Sequence, residues 1–99
     1  MRYPVVLHTD DGVRYGVTVP DLPGCFSAGD PFEEALASAE EAIELHLEGL
    51  AEEGHEPPAP GALATYQALP EYAGGAWALV DVDVSRFKGK AESLPRNHE

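Results

Sequence analysis

Eighteen carboxylates are the side chains of this sequence with the greatest capacity for chemistry, and they suggest a metal-dependent nuclease as the first reaction class to consider. Such enzymes need several acidic side chains that converge on two metal ions about 4 Å apart. Asp10, Asp11 and Asp21 lie in turn sequences, and only Asp81 and Asp83 share one face of a predicted strand. No carboxylate lies inside the first predicted strand. A metal-dependent nuclease is therefore the least favoured interpretation.

The single cysteine and the histidines offer no other reactive arrangement. Cys25 follows a turn glycine, has no CxxC partner and has no histidine near it in sequence that could activate the thiol. The histidines do not show the spacing of metal ligands: they are His8, His46, His55 and His98. The sequence therefore predicts a protein that is not an enzyme, with no catalytic residue, no metal site and no cofactor.

A larger group of carboxylates lies along one face of a predicted helix. Between residues 30 and 54, apolar residues recur at steps of three or four, which is the helical period: Phe32, Leu36, Ala39, Ile43, Leu47 and Leu50. At about 100° per residue, the glutamates form a separate face: Glu33, Glu34, Glu40, Glu41, Glu44, Glu48 and Glu52. Small residues form a third strip: Ala35, Ser38, Ala42 and Gly49. The acidic face is either a solvated surface or an electrostatic surface for a basic protein partner.

Sequence signals mark both ends of this helix. Asp30 is expected to be the N-cap, Pro31 suits the first helical position, and Glu33 occupies the place of a capping-box carboxylate. Gly54 is expected to end the helix in the left-handed conformation, and the prolines that follow prevent its continuation.

Four predicted strands form the sheet that must support this helix. Three precede it, at residues 3–8, 13–19 and 25–28, and an Asp-Gly turn connects the first two. The fourth, at 76–84, follows a proline-rich link and a short helix predicted at 62–69. The order β-β-β-α-β predicts an α+β fold, in which a three-stranded antiparallel sheet gains a fourth, C-terminal strand and one long helix packs on one face.

The second face of this sheet is expected to be partly apolar. Val6, Trp77 and Leu79 remain after the helix-facing residues are assigned, and they lie beside polar residues such as His8 and Thr18. A partly apolar face on a small sheet indicates a partner or a contact between copies. Together with the small-residue strip of the helix, it predicts a homodimer or a tetramer.

Length and charge bound the whole chain. Ninety-nine residues predict one domain, at 1–85, followed by a polar C-terminal tail at 86–99. A formal net charge of −12 disfavours nonspecific binding to nucleic acid or to an anionic membrane. The sequence has no apolar run long enough to span a bilayer and no signal peptide. With a single cysteine, these features predict a cytoplasmic protein with a basic partner.

Residues 15–54 closely resemble the HicB antitoxin family. The matching pattern is a strand, then PDLPGCFSAGD at 20–30, then a helix that begins PFEEA at 31–35; AWALVDVDVSRFKGKAE at 76–92 resembles the strand that closes the same domain. The resemblance implies a partial ribonuclease-H-like fold without catalytic carboxylates, and a small basic toxin of the HicA type that cleaves messenger RNA. Family members usually add a C-terminal DNA-binding module. Only seven residues follow Glu92, too few for a ribbon-helix-helix, so DNA binding is not expected.

Two functions follow as hypotheses from these features. In the first, the chain binds and occludes a HicA-like toxin: Glu33, Glu40, Glu44 and Glu48 speed the encounter, and the stiff turn at Asp21 and Leu22 presents an anchor. The alternative function is a stand-alone HicB-like binding or scaffold domain without a toxin. For the turn itself, the alternative to an anchor is that it only positions the third strand.

Overall fold

The chain folds as a four-stranded antiparallel sheet that carries one long helix. The computed structural model describes residues 1–85 and Phe87. The element order is β1 (Arg2–His8), β2 (Tyr15–Thr18), β3 (Phe26–Gly29), α1 (Phe32–Glu52), α2 (Leu63–Gln67), a short 3-10 helix (Pro70–Tyr72) and β4 (Ala76–Asp81). The strands lie in the order β3-β2-β1-β4. The predicted α+β class and β-β-β-α-β order are confirmed; α2 lies within the predicted segment, whereas the 3-10 helix was not predicted.

Strand β1 is central and is buried on both of its faces. Tyr3, Val5 and Leu7 belong to the core that α1 covers, together with residues of β2 and β4. Pro4 and Val6 point to the opposite face and are also fully buried. An interior strand that is covered on both sides has no face exposed to solvent, which explains the almost unbroken apolar run of β1.

Helix α1 approaches the sheet through its small residues more closely than the sequence pattern indicated. Its fully buried residues are Ala35, Ala39, Ile43, Leu47 and Ala51. The predicted stripe members Phe32, Leu36 and Leu50 are only partly buried against this core. Ala35, which was assigned to a small-residue edge, instead lies over β3. A Cβ atom on Gly29 would lie 2.8 Å from the backbone nitrogen of Ala35, so the absence of a side chain at Gly29 permits this contact.

The two ends of α1 differ in how well the sequence predicted them. Pro31 is the N-cap, in an extended conformation, and no side chain caps the helix, so the predicted Asp30 cap and the Glu33 capping box are wrong. Pro31 takes the N-cap position instead of the first helical position, so Asp30 lies one residue outside the cap. At the other end, Gly54 has φ 85° and the N–H of His55 donates to the Leu50 carbonyl at 2.9 Å. This is a Schellman motif, and it confirms the predicted stop.

The loop between β1 and β2 is longer than the predicted turn because the Asp11 side chain accepts hydrogen bonds from the loop backbone. The Asp11 carboxylate accepts the N–H groups of Val13 and Arg14, both at 2.9 Å. These bonds hold the pKa of Asp11 below its ordinary value, and the bond from the Arg14 N–H has the largest effect. Residues 13 and 14, predicted as strand, therefore belong to the loop.

Residues 55–75, which we call the crossing segment, connect α1 to β4. The Tyr3 hydroxyl donates to the Pro58 carbonyl at 2.7 Å. Further along, Tyr72 contacts Trp77 edge to face, with ring centroids 5.6 Å apart. Gly75 lies directly against Val6, where a Cβ atom would overlap the valine side chain. The crossing segment therefore helps to bury Val6, and the prediction that Val6 is left exposed for self-association is corrected.

The core extends past the predicted domain boundary at residue 85. Phe87 is buried, belongs to the core and donates its N–H to the Val84 carbonyl at 3.0 Å. The rest of the predicted polar tail, residue 86 and residues 88–99, lies outside the described residues. Within the described part of the chain, no helix is sufficiently long and apolar to cross a membrane.

Candidate partner-binding surface

The glutamates of α1 form one negative surface, the acidic face defined above (Glu33, Glu34, Glu40, Glu41, Glu44, Glu48 and Glu52). Glu33 and Glu40 are exposed, and Glu44 and Glu48 are half-buried. Helix α1 contains no lysine or arginine. Among residues 1–85, no basic side chain forms an ion pair with Glu33, Glu40 or Glu44. The negative charge of these three glutamates is therefore not neutralised by any of those side chains.

An apolar side chain lies within this acidic surface. Leu45 is 69% exposed and, with Glu41, Glu44 and Glu48, lines a shallow depression of about 280 Å³. An exposed leucine surrounded by charge is the kind of feature that a protein partner can desolvate on binding. The sequence pattern assigned no role to Leu45.

Leu22 faces the core and not the solvent. It is 1% exposed and belongs to the hydrophobic core. Its N–H donates to the Val19 carbonyl and its carbonyl accepts the N–H of Cys25, both at 3.0 Å. These bonds turn the side chain inward at the entry to β3. The expectation that Leu22 is a partner anchor is corrected: the turn positions the third strand, as the alternative held.

Asp21 fastens the crossing segment to the turn before β3. Its Oδ1 atom accepts the N–H of Gly61 at 2.8 Å and the hydroxyl of Tyr66. The hydrogen bond from Tyr66 to this carboxylate raises the pKa of Tyr66 to about 12. Burial, and then the charge of Asp21, raise the pKa of Tyr3. Oδ1 accepts two hydrogen bonds from the crossing segment, and Oδ2 is buried. Asp21 therefore stabilises the contact between the crossing segment and this turn.

The second face of the sheet presents a different apolar set from the predicted one. Leu79 is 49% exposed and Trp77 is half-buried. Phe26, opposite Thr18 in the ladder, is 66% exposed and was not predicted. Its position follows from Cys25, because burial of one side chain in the core turns the next one outward. The role of Trp77 and Leu79 in self-association stays a prediction.

The groups with catalytic potential do not come together in the described residues. Cys25 is buried, and burial raises the pKa of its thiol. A cleft of about 440 Å³ beside the β1–β2 loop includes His8, Asp11 and Arg14, but the Asp11 carboxylate is already bonded to the backbone. Within the described ranges, no three His, Cys, Asp or Glu side chains are placed to hold a metal ion.

Comparison with known proteins gives a consistent set of relatives. The family model for the HicB-like antitoxin of bacterial toxin–antitoxin systems matches residues 3–96. An uncharacterized 14.9 kDa protein from the rep-hol intergenic region of Haemophilus phage HP1 is 44% identical over 95 residues, which are 95% of this chain and 70% of that protein.

Solved structures give the same result. The antitoxin HicB of Burkholderia pseudomallei has a TM-score of 0.78 and 38% identity, over 100% of this chain and 89% of that one. A chain of the HicA3 and HicB3 toxin–antitoxin complex has a TM-score of 0.69 and 32% identity, over 84% of this chain and 99% of that one. Because the family match spans nearly all residues and the folds agree, this chain belongs to the HicB-like antitoxin family.

Proposed function

We propose that this chain is a cytoplasmic antitoxin that binds and occludes a small basic, RNA-cleaving toxin of the HicA type. The observation that carries the proposal is the acidic face of α1, which displays Glu33, Glu40 and Glu44 without basic partners among residues 1–85. Membership of the HicB-like antitoxin family and the existence of a solved complex of the relatives HicA3 and HicB3 support it.

The mechanism is occlusion assisted by charge. A protein that cleaves RNA needs a positively charged groove for the phosphate backbone. The acidic face presents carboxylates along one side of a rigid helix, so it is attracted to that groove and covers it. Leu45, exposed within the acidic face, supplies apolar area that becomes buried in the contact.

Growth rescue tests this function directly. The chain is co-expressed with any small basic protein that is encoded beside it, that protein is induced, and colony formation is compared with a strain that carries the basic protein alone. We expect the chain to restore growth and to co-purify with the basic protein. Persistent growth arrest despite soluble antitoxin would overturn the proposal.

A stand-alone binding or scaffold domain is the second candidate function. The exposed Phe26 and Leu79 favour it, because both lie on the second face of the sheet, away from α1. A contact between copies through this face would give a dimer or a larger assembly. Sedimentation that shows only a 10.6 kDa monomer at high protein concentration would contradict it.

A further inference from the structure

The outer edge of β4 carries backbone groups that no strand of the described residues pairs with. In the sheet order, β4 pairs only with β1 among the described strands. The N–H of Val82 donates to the Met1 carbonyl at 2.8 Å, and the ladder pairs Val80 with Tyr3 and Ala78 with Val5. Hydrogen bonding alternates along an antiparallel pair, so Ala78 and Val80 direct their N–H groups to β1. The peptide groups of the alternate residues point outward: Trp77, Leu79 and Asp81.

This edge lacks the usual features that prevent strand pairing. Natural edge strands are short, or carry proline, lysine or a bulge. The opposite edge, β3, follows that rule: it has four residues and ends at Gly29, just before Pro31. Strand β4 has six residues, AWALVD, without proline, lysine or glycine, and its Leu79 side chain is 49% exposed. The two edges of the sheet therefore differ: among the described residues, no strand pairs with the outer edge of β4 along its length.

A groove beside the β4 edge shows which partner fits. It measures about 300 Å³ and is lined by Leu36, Ala37 and Glu40 of α1 and by Leu79, Val80 and Asp81 of β4. Its apolar wall suits aliphatic groups. Two exposed carboxylates also line it: Asp81 forms an ion pair with the Met1 ammonium at 3.5 Å, and Glu40 has no such partner among residues 1–85. Glu40 also belongs to the acidic face, so the groove and that face are continuous. A second copy, with a net charge of −12, is electrostatically disfavoured here, and a basic partner is favoured.

We propose that the free edge of β4 receives an extended strand from a basic protein partner, in which apolar residues alternate with lysine or arginine. Apolar side chains meet Leu79 and Trp77 on the face away from α1, and basic side chains meet Glu40 on the face that α1 covers. The outward peptide groups supply the backbone hydrogen bonds. This inference deepens the proposed function, on which it rests for the class of partner, by naming the edge through which the toxin is held.

Amide hydrogen exchange, measured in the presence of a defined peptide, tests whether the β4 edge binds a strand and needs no toxin. An octapeptide of alternating lysine and valine is titrated into the full chain and the amides are followed by ¹⁵N NMR. We expect exchange at Trp77, Leu79 and Asp81 to slow by about tenfold, while Ala78 and Val80, already bonded to β1, change little. An octapeptide of alternating glutamate and valine is the matched control and should have no effect. Unchanged exchange at Leu79 with the lysine peptide would overturn the proposal.

Two proline variants separate strand pairing from general electrostatic attraction. Leu79→Pro removes one outward N–H and leaves the ladder with β1 intact, so peptide affinity should fall by about fivefold. Ala28→Pro removes an outward N–H from β3, since the Val19–Cys25 bond sets the same alternation there, and should leave affinity unchanged. Circular dichroism checks folding of both variants. Should Leu79→Pro unfold the chain, Leu79→Thr, which keeps the N–H, must retain the exchange effect.

The outcomes distinguish the edge from the antitoxin function. If the chain rescues growth but the lysine peptide does not slow amide exchange at Leu79, the β4 contact is refuted and the antitoxin function is retained. Slowed exchange without rescue would refute the toxin partner and retain a basic strand partner. Protection of Trp77, Leu79 and Asp81 in the free protein that rises with concentration would overturn the proposal in favour of pairing between copies.

Discussion

At the residue scale, a hydrogen bond between Tyr66 and Asp21 holds the crossing segment on the domain. Tyr66→Phe removes the hydroxyl but keeps the bond from Gly61, so the free energy of unfolding should fall by about 1 kcal/mol in urea titrations. Tyr3→Phe, which removes the bond to Pro58, is the companion variant for the other contact. Equal stability of Tyr66→Phe and the parent chain would contradict this role.

The same bond predicts how stability changes in alkali. The folded-state pKa of Tyr66 is about 12, above the ordinary value of 10.0, so the unfolded chain loses this proton first. The contribution of Tyr66 should therefore be complete below pH 10 and disappear between about pH 10 and 12. Urea midpoints measured across this range should decline less steeply in Tyr66→Phe. An unchanged slope in that variant would assign the decline to other groups, such as Tyr3.

Burial of Cys25 predicts a thiol that is protected from reaction. The side chain lies in the core and burial raises its pKa, so little thiolate forms at neutral pH. A disulfide reagent such as Ellman's reagent should react at least about a hundredfold more slowly with the folded chain than with the chain in denaturant. Rapid labelling of the folded protein would show that the turn before β3 opens easily.

At the scale of elements, the contact between β3 and α1 depends on Gly29. A Cβ atom there would lie 2.8 Å from the backbone nitrogen of Ala35, and backbone cannot move aside as a side-chain tip can. Gly29→Ala should cost about 2–3 kcal/mol of stability. Gly16→Ala is the matched control, because nothing lies within 4 Å of its Cβ position. Similar urea midpoints for the two variants would contradict a close strand–helix contact.

The strands and the long helix could be predicted because their signals are local. Period-two and period-3.6 patterns, with Gly54 as a stop, are properties of neighbouring residues. The crossing segment could not be predicted in the same way. Its placement depends on the Tyr3–Pro58 and Asp21–Gly61 bonds, which join residues 55 and 40 positions apart. No pattern within residues 55–75 encodes such partners, so the burial of Val6 beneath this segment was missed.

In the candidate site too, the features set by local sequence patterns were predicted and those set by distant contacts or short strands were not. The acidic face follows from helical periodicity alone, so its membership was predicted from spacing. Leu22 was misplaced because a turn between two prolines has the composition of an exposed loop, and only its backbone bonds show that the side chain turns inward. Phe26 was missed because a four-residue strand gives too little alternation to assign its faces.

At the scale of the whole molecule, the net charge predicts how fast a basic partner binds. The double variant Glu40→Lys, Glu44→Lys should lower the association rate with the toxin by about tenfold at low salt, because charges at a surface act mainly on the encounter. The dissociation rate should change little, and the difference should shrink as salt rises. Surface plasmon resonance over a salt series measures both rates.

A control variant with the same net charge separates local from global effects. Glu56→Lys, Glu71→Lys changes two exposed glutamates outside the acidic face. It should slow association less than the Glu40 and Glu44 pair. If the two double variants bind with equal kinetics, or if the first is unaltered at low salt, the acidic face is only a solvated surface.

The pairing of the first strand with the last has a consequence in time. Arg2 lies opposite Asp81 in the ladder, 79 positions later in the chain. At about 5–20 residues per second, β1 waits roughly 4–16 s on the ribosome for its second neighbour. The β4 edge and its groove do not exist during that interval. If the toxin binds at the proposed β4 edge, a toxin translated ahead of this chain would meet no complete binding surface until residues 76–81 have been synthesised, so the order of translation sets how long it acts unopposed.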